Sequence, residues 1–102
     1  MKIKRRFPNY FTGFEETEHE VNSKEDLLKL DWIEDLKNMK GWLGLFYSPK
    51  KYDDTPDYLM SLSKNDEGKI IYFVIGYIYG DGKELGLTDY VHELKKDIRY
   101  EQ

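Results

Sequence analysis

The sequence predicts a small α+β domain: a mainly antiparallel sheet of about four strands in the order β-α-β-β-β-α, with one or two short helices after the first strand and a C-terminal helix packed on the sheet. Three observations predict it. Residues 58–63 alternate in their second half and residues 70–79 are an apolar run rich in β-branched and aromatic side chains, the two joined by Lys64-Asn65-Asp66-Glu67-Gly68-Lys69, which is hairpin-turn chemistry. Leu28, Trp32, Leu36 and Met39 recur at helical spacing, as do Leu87, Val91, Leu94 and Ile98. A chain of 102 residues without cysteine has room for one modest core and no disulfide to replace it.

Taken in order, residues 1–10 form a basic N-terminus free to be flexible, and residues 11–21 alternate loosely as a polar strand. Its charged side chains suit a sheet edge, where they discourage pairing with another chain. Ser23 is a natural N-cap with Asp26 three residues on, and Asp31 with Glu34 repeats the signal, so two short helices fit as well as one. Gly41 suits a left-handed stop. Residues 42–47 are apolar on both parities, as expected of a strand covered on two faces. Residues 50–57, with Pro56 and four breaker-type side chains, read as a loop. Residues 70–79 belong at the centre of the sheet, because ten nearly unbroken apolar residues at an open edge invite aggregation. Gly80-Asp81-Gly82 turns the chain, and Thr88 or Asp89 caps the last helix.

Composition narrows the function classes. At 39% apolar and 16% aromatic the chain is too rich in core-forming side chains for disorder. Lys2-Ile3-Lys4-Arg5-Arg6 is followed by Phe7-Pro8 where a secretion signal needs an apolar run, and no stretch approaches the ~20 apolar residues of a membrane helix. A reducing cytoplasm is the expected compartment.

No pattern of catalytic or ligating residues stands out. Gly80-Asp81-Gly82-Lys83-Glu84-Leu85-Gly86 has the wrong spacing for a dinucleotide-binding turn and lacks a surrounding βαβ unit. Asp53, Asp54 and Asp57 lack the register of a calcium loop, and His19 and His92 are distant in sequence, with no second histidine or cysteine near either. The serines have no nucleophile-elbow context. No catalytic residue, cofactor or metal is therefore expected.

Charge is more informative. The net charge is −4, but residues 14–36 carry nine carboxylates against Lys24 and Lys29, a local balance of −7. Such a row can imitate phosphates and draw a basic protein surface toward it. The basic start is too short, in an acidic chain, to favour direct nucleic-acid binding.

The run Glu20-Val21-Asn22-Ser23-Lys24-Glu25-Asp26-Leu27-Leu28-Lys29-Leu30-Asp31-Trp32-Ile33, followed by Tyr58-Leu59-Met60 and Val74-Ile75-Gly76-Tyr77-Ile78, resembles small uncharacterised acidic proteins of bacteriophages and mobile elements. Asp31 stands where a proline is expected. The resemblance carries no catalytic residue; it implies an origin in which small acidic proteins bind and inhibit host machinery.

The expectation is thus a non-enzymatic protein-binding module, an inhibitor or adaptor of phage type. It would engage a basic partner surface through Glu15, Glu16, Glu18, Glu20, Glu25 and Asp26, helped by Tyr47 and Tyr52. Two alternatives stay open. One is a small enzyme or ligand-binding domain with a pocket between the sheet and the C-terminal helix; the other is a structural protein dimerising through the edge at 11–21 or 42–47.

Overall fold

A computed structural model describes residues 1–50, 52 and 54–93. Eight elements follow one another: β1 (Lys2–Asn9), β2 (Gly13–Glu20), α1 (Lys24–Leu28), α2 (Asp31–Lys37), β3 (Trp42–Ser48), β4 (Asp57–Lys64), β5 (Ile70–Tyr79) and β6 (Thr88–Asp89). Residues 90–93 begin a further helical turn. The strands form one sheet in the order β2-β1-β5-β4-β3-β6, antiparallel except for the short parallel pair β3–β6. The class is α+β as predicted, but the sheet is mixed and has six strands rather than four.

The additional N-terminal strand has an electrostatic cause. Lys2, Lys4 and Arg6 fall opposite Glu20, Glu18 and Glu16 in the β1–β2 register, so three of the four cations in the basic stretch read as a free terminus have a glutamate across from them, and Arg5 faces Thr17. The connection is a tight turn in which the Asn9 side-chain oxygen accepts from the amides of Phe11 and Thr12, and Gly13 takes φ +91°. The acidic strand therefore starts at Gly13, two residues after the expected 11. It does lie at the sheet edge.

Ser23 caps α1, its hydroxyl accepting from the Asp26 amide at 3.2 Å. Asp31 does not cap α2. Leu30 holds that position without a side-chain bond, and Asp31 is the first helical residue, where its charge still favours the N-terminal dipole. Because the chain breaks into two helices, no single stripe survives: Leu27 and Ile33 are the buried side chains, and Met39 is exposed. They pack on Ile3, Leu45, Leu59 and Ile78, and Val21, Leu85 and Leu87 close that core. A second cluster of Phe46, Met60 and Leu62, on residues of the opposite strand parity, is flanked by Ile70 and Tyr90.

Asp57, read as a loop residue, opens β4 and is 2% exposed. Its carboxylate accepts from the amides of Lys50 (2.9 Å) and Gly82 (3.0 Å), tying together two connections 25 or more residues apart in the chain. Asp89 accepts from the Val91 amide, so it caps the residues that follow while pairing in β6. Leu87 packs in the core ahead of that turn rather than on a helical stripe. The remainder of the predicted C-terminal helix, including Leu94 and Ile98, lies outside the described residues.

Candidate functional site

The carboxylates singled out by charge are largely matched within the domain. Lys2 Nζ lies 3.6 Å from Glu18, and Lys4 Nζ lies 3.5 Å from Glu18 and 3.8 Å from Glu16. The Met1 amino group bonds Glu20 at 2.8 Å, which holds that carboxyl below its usual range. Asn9 donates to Glu15 at 2.7 Å. Asp26 accepts from the Asn22 amide and so belongs to the start of α1. Glu25 alone of the six has no bonded partner among the described residues.

Tyr47 and Tyr52 are not brought to this surface. From β2 to β3 there are four inter-strand steps, roughly 19 Å. Tyr47 is wedged against Gly82, where a Cβ would fall 2.6 Å from its ring. Burial, then the carboxylates of Asp89, Asp81 and Asp57, push its hydroxyl above the usual tyrosine value. Tyr52 is exposed in the connection before β4, bordering a 210 Å³ hollow with Lys50, Pro56 and Tyr58.

The glycine turn after β5 is occupied by the fold: the Gly82 amide already donates to Asp57, and Leu87 donates back to the Gly82 carbonyl. Among the described residues no three of His, Asp and Glu gather as metal ligands would, and no helix is long and apolar enough to cross a membrane.

What charge did not reveal is an apolar edge inside the sheet. β1 pairs with β5 only from Lys2↔Tyr79 to Arg5↔Gly76; beyond that point the two strands part. Two local features lie at the fork. The β4–β5 register shifts between Leu59 and Met60, leaving Ile75 as a bulge, and Pro8 in the departing half of β1 has no amide to offer. Ile70–Val74 therefore pairs with β4 on one side, and Ile70–Ile75 pairs with no described strand on the other.

This segment was expected to be the buried centre. Instead Ile71, Tyr72, Phe73 and Val74 are 38%, 53%, 52% and 52% exposed, with apolar groups on both parities. Only the Gly76–Tyr79 half is central. The exposed side chains border two hollows. One, of 270 Å³, is bounded by Ile71, Phe73, Met39 and Ser63, whose hydroxyl is buried and without a hydrogen-bond partner. The other, of 250 Å³, sits at the fork, between Val74 and Ile75 on β5, Trp32 and Leu36 on α2, and the Arg5–Phe7 stretch of β1.

Other edges carry protective features among the described residues: β2 presents charges, the departing half of β1 carries Arg6 and Pro8, and β3 bulges at Leu43 beside Gly44, which takes φ +137°. Ile70–Ile75 contains no charge, proline or glycine. The sequence held a signal for this: the hairpin partner 58–63 can cover only one edge of a ten-residue strand. The alternation Lys2-Lys4-Arg6 against Glu16-Glu18-Glu20 likewise announced that the first ten residues would pair with the acidic strand. No family model matches this chain, and neither the curated proteins nor the solved structures contain a match to it.

Proposed function

We propose that this protein is a protein-binding module that takes an extended segment of its partner as an added strand along Ile70–Ile75 of β5. The observation that carries the reading is the coincidence, among the described residues, of an unpaired backbone edge with exposed apolar side chains on both parities. Backbone bonds would supply affinity, and the two flanking hollows would accept alternate side chains.

The interaction class expected from sequence is kept, and the surface is moved. With Glu16, Glu18 and Glu20 spent on Lys2, Lys4 and the Met1 amino group, the acidic strand has little uncompensated charge to offer a basic partner. The exposed apolar area of Ile71–Val74 is roughly 350 Å², taking ~200 Å² for a whole aromatic side chain. That is well below the ~800 Å² per partner of a stable interface between folded proteins, which favours a short strand over a second copy of the domain.

Amide hydrogen exchange tests this directly, with an acetylated and amidated heptapeptide of alternating valine and threonine as the probe. Saturable protection of the amides in 70–75 is expected. Unchanged exchange there at saturating peptide, or protection confined to β2, would overturn the reading.

A further inference from the structure

Resting on that reading, we infer that the added strand carries an acidic side chain next to an apolar one, the carboxylate being read by Arg6 at the fork between β1 and β5.

The charges of β1 are treated unequally. Lys2 and Lys4 each find a glutamate, whereas Arg5 and Arg6 have no carboxylate within ion-pair distance among the described residues. Arg6 lies opposite Glu16 in the register, yet its guanidinium turns 4.1 Å above the Phe14 ring and donates to the Tyr77 hydroxyl at 2.8 Å. Arg5 lies 4.4 Å from the Phe7 ring and 5.2 Å from that of Trp32. Each guanidinium is thus held in place by aromatic faces, which lowers the entropy lost on binding while leaving N–H donors to spend.

Their position fits the end of an added strand. Arg5 and Arg6 both border the 250 Å³ hollow floored by Trp32, Leu36 and Ile75. Successive residues of one strand point to opposite faces, so Arg5 and Arg6 flank the cleft from its two sides. A segment running along Ile70–Val74 reaches the fork with one side chain over the hollow, on the face of Arg5 and Trp32, and its neighbour on the opposite face meets Arg6.

Nucleic acid suits the site less well. The rings that could stack on bases, Phe7, Phe14 and Trp32, are already faced by the guanidiniums, and Glu15 and Glu16 stand on the adjoining strand. A single carboxylate asks for local charge only, and a bidentate contact with arginine is its strongest pairing.

Two heptapeptides test the inference: the alternating valine–threonine probe ending in leucine–glutamate and the same peptide ending in leucine–glutamine, both with blocked termini. The glutamate peptide is expected to bind about tenfold tighter at low salt, with the preference shrinking as salt rises. Arg6→Gln, at an exposed position, should remove most of that preference, and Arg6→Lys, which keeps charge but loses the planar fork, should reduce it partly. Equal binding of the two peptides would overturn the carboxylate assignment and leave strand addition standing. Binding of neither would overturn both. Displacement of the glutamate peptide by an equimolar oligothymidylate would also overturn the assignment, giving the guanidiniums to phosphate.

Discussion

Replacing Val74 with lysine places a charge in the middle of the open β5 edge, and the structure sets how much this should matter. Val74 is 52% exposed, so about half of the ~1.5–3 kcal/mol available from burying a valine is still to be gained when a strand covers it. Losing that costs docking about 1 kcal/mol. A new ammonium beside Arg5 and Arg6, which border the same hollow, must be desolvated without a partner, adding about 1 kcal/mol more. The sum corresponds to roughly a 30-fold weaker affinity. The fold should lose no more than about 1 kcal/mol, because the lysine stem still covers the half of the site that valine buried. Titration calorimetry with the valine–threonine heptapeptide measures the first quantity and urea unfolding the second. Val74→Thr, which keeps the branched shape, should bind within about threefold of the parent. A natively stable Val74→Lys protein that also binds within threefold would refute strand addition at this edge.

Other consequences follow from the same contacts. Asp57→Ala strands the amides of Lys50 and Gly82 and should cost about 2–5 kcal/mol in urea unfolding, a large part of what a domain of this size has; a loss below 1 kcal/mol would mean the carboxylate is not the tie between those connections. Gly82→Ala drives a methyl group into the Tyr47 ring and should destabilise by about 1–3 kcal/mol, with relief in the double variant carrying Tyr47→Ala. Because burial and neighbouring carboxylates raise the Tyr47 hydroxyl above its usual value near 10, the stability it contributes is complete below pH 10 and is lost as pH rises through the folded value. Tyr47→Phe should match the parent at pH 8 and surpass it at pH 11. Ser23→Ala removes the α1 cap and should cost about 1 kcal/mol, read as a lowered urea midpoint with an unchanged slope.

The predicted and observed folds differ where side-chain chemistry has two uses. Lys2, Lys4 and Arg6 read as a solvated basic end and Glu16, Glu18 and Glu20 as a binding face, yet the two sets lie opposite one another across β1 and β2, and Lys2 and Lys4 pair with Glu16 and Glu18. Charge counts along the chain register an excess; only strand register shows whether it is already compensated. Asp57 sat among breaker residues and looked solvated, while its function is to accept two distant amides.

By itself the sequence determined the α+β class, the β4–β5 hairpin, the Ser23 cap and the placement of the acidic strand at an edge; it left one helix or two open between them. These rest on local propensity, capping and period, which act within a few residues. Tertiary structure decided which apolar residues are buried. Ile70–Tyr79 looks uniform in sequence, but covering a strand requires neighbours on both edges and both faces. β1 supplies one neighbour for Gly76–Tyr79 and departs at the Ile75 bulge. The half left open, with two guanidiniums at its end, is where the proposed function lies, and nothing local to those six residues distinguishes them from a core strand.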